Sequence, residues 1–171
     1  MIDQLDGRIG ESWSGEVPNG SHINVVLARR GSPTAAAAAG ALAGPRPGHL
    51  PFLACLSPGV LVRPATIVVN KSPIEGDGAI GPITWGAAQL GIAQGVLDAV
   101  ADGVIEGTGD LLVLVAVWVD PRAEDETAVR EANRESVRRA VGMCVEGHDA
   151  TAVAGLVARR DEITSPFYGG S

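Results

Sequence analysis

Lysine is almost missing from this chain. Of 13 basic residues among 171, Lys71 is the one lysine and the rest are arginine. Basic side chains are also outnumbered: 20 acidic residues leave a net charge of −7, so no basic face able to displace counterions from nucleic-acid phosphates is expected. Cysteine is scarce too. Cys55 and Cys144 lie far apart, with no C-x-x-C and no histidine at ligand spacing, which argues against a disulfide framework or a zinc site and for two reduced, apolar thiols. Long hydrophobic runs are absent: the longest, Leu111 to Val119, sits between Asp110 and Asp120 and falls well short of the ~20 residues that cross a bilayer. The opening MIDQLDGR has no apolar segment of the signal-peptide kind. Together these point to a cytoplasmic protein with no membrane contact and no metal.

What is present suits a folded domain. Hydrophobic residues make up 46% against 19% charged, a balance that buries a core and argues against disorder. One domain is expected over 1–164, with a loose tail at 165–171. Residues 7–13 and 22–28 read as two strands of a hairpin around the turn-rich VPNGS. Ser32-Pro33-Thr34 opens a helix through the alanine run to Ala43, whose small residues allow close approach to a neighbour. Phe52–Leu56 and Ala65–Val69 are short apolar strands bounded by prolines, and a helix is expected from Pro82 to Gly103. Leu111–Val119 is apolar at nearly every position, which predicts a central strand covered on both faces. A charged helix at Glu124–Val141, with a stripe of Ala128, Ala132, Val137 and Val141, and a last helix at Ala150–Arg160 complete the pattern. The order predicts an α/β (α+β) two-layer sandwich, a mixed sheet with helices on one face.

Few motifs carry chemistry. There is no Walker loop and no nucleophile elbow. Gly76-x-Gly78-x-x-Gly81 has dinucleotide-loop spacing, but Glu75 and Asp77 would set negative charge against a pyrophosphate, so it reads as a loop. Of three histidines, His49 and His148 fall in solvated turns. His22 opens a strand directly after a glycine-containing turn, where its side chain can face a groove; taken alone it is more often a structural histidine. Lys71 ends the run Ala65–Asn70, so the lone ammonium stands at a strand terminus, as a compact point charge or as simple edge protection. Gln89 is a polar amide among Ala and Leu that needs a partner if buried.

In order along the chain come His22-Ile23-Asn24, Arg30-Gly31-Ser32-Pro33, Leu53 in PFLACLSP, Pro64-x-Thr66 leading to Asn70-Lys71, Gly86-Ala-Ala-Gln89-x-Gly91-x-Ala93, Asp98-Ala-Val100 and Gly109-Asp110-Leu111. With these pieces at nearly family spacing over roughly 8–145, the chain resembles the formaldehyde-activating enzymes. The resemblance implies a fold like the second domain of ribosomal protein S5 and a cytoplasmic homopentamer that binds its pterin between subunits. It implies condensation of formaldehyde with tetrahydromethanopterin as co-substrate, without metal. By this likeness His22 is the general acid, while Asn24, Leu53, Lys71 and Gln89 line the pterin site.

Elementary chemistry agrees. Formaldehyde adds readily to a secondary amine, but the carbinolamine must lose its poor leaving group, hydroxide, before a second nitrogen can close the ring. A positioned acid that titrates near neutrality supplies the missing proton, typically for 10²–10⁴-fold in rate. The chain departs from the family at three places. Asn24 stands where a carboxylate is usual and removes a negative charge beside His22; Pro73 replaces a hydroxyl two residues after the lysine; and Trp118-Val119-Asp120-Pro121 lacks the usual aromatic and histidine character. These departures keep a second possibility in view, a non-catalytic carrier or sensor of a pterin or aldehyde.

Overall fold

The computed structural model of the chain describes residues 4–74, 78–147 and 149–164. The expected tail at 165–171, the residues Glu75, Gly76 and Asp77, and His148 lie outside the described residues. The strands are β1 (Ile9–Ser14), β2 (Ser21–Arg29), β3 (Phe52–Leu53), β4 (Cys55–Ser57), β5 (Val60–Leu61), β6 (Ala65–Asn70) and β7 (Leu111–Val119). The helices are α1 (Pro33–Ala43), α2 (Ile80–Ile83), α3 (Gln89–Ala101), α4 (Glu126–Glu146) and α5 (Ala150–Ala158), with a wider π-helical turn, Thr84–Ala88, joining α2 to α3.

Five strands form one mixed sheet in the order β1-β2-β7-β6-β3, so β7 is central as expected. β6 and β7 run parallel, joined through α3, and the other pairs are antiparallel. The apolar stretch at 52–56 breaks at Ala54: β3 stays in the sheet, while β4 turns out to pair with β5 as a separate hairpin. The expectation that β7 is covered on both faces is corrected. Leu111, Val113, Val115, Val117 and Val119 are buried, but Leu112, Leu114, Ala116 and Trp118 between them are only half-buried. One sheet face meets the helices and the other stays partly open. Burying each large aliphatic side chain on the covered face stabilises by about 1.5–3 kcal/mol.

Helices α3 and α4 form the covering layer and lie side by side in the same direction. The pairs Gln94–Arg130, Asp98–Arg134 and Asp102–Arg138 recur every fourth residue along both. Gly91 and Gly95 let the backbones meet, since a Cβ at either position would run into the carbonyl of Arg130 or Arg134. On α4 the buried stripe is Val129, Ala132, Asn133, Ser136, Val137, Ala140, Val141 and Cys144, with Val129 taking the place expected of Ala128. The alanine helix α1 is capped by Ser32 Oγ, which accepts from the Ala35 amide at 3.0 Å, and within one chain it buries only Ala38. α5 buries no residue.

Candidate active site

The site begins with alternation along β2. Ser21, Ile23, Val25 and Leu27 point into the helical layer, which leaves His22, Asn24 and Val26 on the open face. Just before His22 the strand is pinned from below: Ser21 Oγ lies 2.8 Å from Asn133 Oδ1, Asn133 Nδ2 donates to the Val129 carbonyl at 2.8 Å, and all three residues are fully buried. Such satisfied buried networks hold backbone rigidly.

Strand register then sets four side chains in one row across the open face. Trp13 pairs with His22, and His22 with Trp118. The Lys71 amide donates to the Val117 carbonyl at 2.7 Å, continuing the β6–β7 ladder and placing Lys71 beside them. Trp13, His22, Lys71 and Trp118 line a cavity of about 330 Å³, far more than the two heavy atoms of formaldehyde require. The two indoles pack at 5.6 Å between centroids, tilted by 32°.

Both ring nitrogens of His22 are engaged. Nδ1 lies 3.0 Å from Lys71 Nζ, and Nε2 lies 2.6 Å from Glu11 Oε1. An ammonium can only donate, so while Lys71 is charged Nδ1 accepts from it and the ring proton sits on Nε2, facing the carboxylate. Burial pushes the Lys71 ammonium down to about 8, with the Glu11 carboxylate pulling the other way. The Glu11 side chain is 52% exposed and that of His22 32%, so an incoming substrate can reach either.

The strand end that carries Lys71 is clamped from a neighbouring loop. Asn70 Nδ2 donates to the carbonyls of Gly48 and Ser72, each at 2.6 Å, and His49 Nδ1 donates to the Asn70 carbonyl at 2.8 Å. His49, expected in a solvated turn, is therefore half-buried and part of this brace.

The remaining sequence-predicted residues are not gathered at His22 within one chain. Asn24 shares the open face two residues along β2, opposite Glu11 and Ala116. Leu53 pairs with Ile67, four residues before Lys71 on the same face, which at about 3.3 Å per residue is roughly 13 Å along the strand. Gln89 lines a different groove with Leu50, Pro51, Phe52 and Trp85, and its Nε2 lies 3.5 Å from the Cys55 carbonyl. Pro73 borders a third cavity on the helical side of the sheet, with Asn70, Val117 and Val119.

Glu11 and Trp13 escaped the sequence reading. Their one available signal was the alternation of β1: a strand paired with β2 in antiparallel register must set residues 11 and 13 on the face that carries residues 22 and 24. Cys55 and Cys144 are both free thiols, and burial pushes that of Cys144 up to about 12. Among the described residues no group of three or more His, Cys, Asp or Glu could hold a metal ion, and no helix is long and apolar enough to cross a membrane.

The model of the formaldehyde-activating enzyme family matches residues 9–168. The chain belongs to that family. It is 35% identical over 165 residues to the "5,6,7,8-tetrahydromethanopterin hydro-lyase" of Methanosarcina barkeri, covering 95% of this chain and 91% of the relative. It is 31% identical over 141 residues to the "Bifunctional enzyme Fae/Hps" of Methanothrix thermoacetophila, and 28% over 167 residues to that of Archaeoglobus fulgidus. Those alignments take in 81% and 96% of this chain but 36% and 42% of the two bifunctional relatives, so the chain spans less than half their length. The match thus runs along nearly the whole length of both this chain and the Methanosarcina barkeri relative.

Proposed function

We propose that this chain is a carbon–nitrogen lyase of cytoplasmic one-carbon metabolism. It condenses formaldehyde with a reduced pterin of the tetrahydromethanopterin type to the methylene derivative and water, with His22 as the proton donor. The observation that carries the reading is the imidazole itself, standing on an open cavity between the lone ammonium and a carboxylate. Glu11 supplies the negative charge that Asn24 does not, and it orients the ring. The exposed Glu11 contact lets a carbinolamine hydroxyl replace the carboxylate as acceptor of the His22 Nε2 proton; Nδ1 takes a proton from the Lys71 ammonium 3.0 Å away as that proton leaves, so the ring stays neutral and water departs from the iminium. Trp13 and Trp118 narrow the approach from bulk solvent, while orientation of two reactive partners supplies much of the acceleration, because the uncatalysed condensation is already feasible.

The pterin, in this reading, is a second substrate held between subunits of a homopentamer, with Asn24 and Lys71 of one chain and Leu53 and Gln89 presented by a neighbour. Two features support shared sites: the separation of Gln89 and Leu53 from His22 within one chain, and the half-buried apolar residues Leu112, Leu114 and Ala116 on the open face. The test is a panel of reduced pterins, tetrahydromethanopterin and tetrahydrofolate among them, mixed with formaldehyde at low enzyme concentration. Methylene-pterin formation well above the uncatalysed rate is expected with tetrahydromethanopterin. Saturable pterin binding with no acceleration for any member would overturn the lyase and leave a carrier.

A further inference from the structure

We propose that Lys71 is a covalent catalyst: its amine captures formaldehyde as a Lys71-bound methylene iminium, which is then passed to the amine of the second substrate. The inference rests on the formaldehyde condensation proposed above and deepens it at the same site by moving the loss of water from a pterin carbinolamine to one formed on Lys71.

The geometry that points there is the hydrogen-bonded row Glu11–His22–Lys71. With Lys71 as the ammonium, the ring is neutral and its proton faces Glu11. Moving one proton across the 3.0 Å from Nζ to Nδ1 makes Lys71 a free amine and His22 an imidazolium, with no change in the total number of protons. Glu11 Oε1, 2.6 Å from Nε2, accepts from the ring both before and after the shift. One shift therefore creates a nucleophile and an acid in contact. Half-burial against Trp13 and Trp118, which brings the ammonium down to about 8, makes that shift accessible near neutrality.

The steps balance. The Nζ lone pair forms a bond to the formaldehyde carbon, and the amine proton moves to the oxygen to give a hydroxymethyl-lysine. Its hydroxyl lies one carbon from Nζ and so within reach of Nδ1–H; the imidazolium donates, the C–O bond breaks, and water leaves the iminium. A secondary amine of the second substrate adds to that carbon and gives its proton to His22. The ring returns the proton to Nζ as the C–Nζ bond breaks, releasing the free lysine amine. The carbon is now an iminium on the second substrate; closure by its other nitrogen delivers a proton to His22 and restores the imidazolium. No oxidant or reductant is consumed.

Because Lys71 is the only lysine of the sequence, the intermediate can be trapped without ambiguity. The full-length protein is mixed with limiting formaldehyde and sodium cyanoborohydride, with no pterin present, and methylation of Lys71 is followed by peptide mass spectrometry. The rate is compared with that of the same chain unfolded in urea. An ordinary lysine amine, titrating near 10.4, is almost wholly protonated at neutral pH, so the folded protein should label Lys71 faster by about tenfold or more. His22→Ala, which takes away the ring that accepts the Nζ proton and returns it to the leaving hydroxyl, should cut that advantage severalfold while native mass spectrometry shows the assembly intact. Labelling no faster in the folded chain than in the unfolded one overturns the covalent route. Lys71→Arg, which keeps the positive charge without a nucleophilic amine, should lose turnover by two orders of magnitude or more; unchanged turnover overturns the route and leaves the lyase reading standing. Rapid trapping at Lys71 in a protein that accelerates no pterin condensation supports the capture step and counts against the lyase reading alone.

Discussion

At the scale of single residues, the unusual feature is a lysine half-buried against two indoles and an imidazole, and it has a consequence for stability. Burial holds the Lys71 ammonium near 8, below its ordinary 10.5, with Glu11 opposing. Below about 8 both folded and unfolded chains keep this proton, and the cost of burying the charge is present in full. Between about 8 and 10.5 the folded chain has released the proton and the unfolded chain has not, so Lys71 makes stability rise with pH across that window. Urea midpoints measured from pH 7 to 10 should therefore climb more steeply for the wild type than for Lys71→Met; parallel curves would show that Lys71 titrates normally. His22 and Lys71 were legible in the sequence because one opens a strand after a glycine turn and the other is unique. Glu11 was not: an exposed carboxylate on a strand looks like any other until the hairpin register sets it opposite Asn24.

At the scale of elements, the strands and helices follow from alternation, helical period and proline punctuation, and the span read for β7, Leu111–Val119, is the observed one. Which of its faces stays half-open could not be read, since both are apolar; that depends on where α3 and α4 lie. The break at Ala54 was hidden for a similar reason, because the residues on either side are apolar and only pairing separates β3 from β4. The contact between α3 and α4 rests on two glycines. Gly95→Ala gains helix propensity of roughly 1 kcal/mol but forces its methyl group against the Arg134 carbonyl, and overpacking typically costs about 1–3 kcal/mol. Chemical denaturation should show a net loss of stability; a variant more stable than wild type would mean the two helices separate without penalty.

At the scale of the whole molecule, the residues that family likeness assigns to one pterin site are spread over one chain: Leu53 lies well along the face that carries Lys71, and Gln89 lines a different groove. The sequence could list His22, Lys71, Leu53 and Gln89, but it could not say that the last two lie away from the imidazole, a fact of how β3 and α3 sit around the sheet. The assembly proposed above resolves that separation and covers the half-open apolar face. Native mass spectrometry should show five-subunit particles, and Leu114→Asp, which sets a charge on that face, should shift them to smaller species; a wild-type monomer would remove the shared site. The proposed catalysis itself comes down to the proton that His22 delivers. The initial rate of methylene-pterin formation from formaldehyde and tetrahydromethanopterin, compared between wild type and His22→Ala, tests it most directly. A positioned acid predicts a fall in kcat of about 10²–10⁴-fold with the pterin still bound; an unchanged kcat would contradict it.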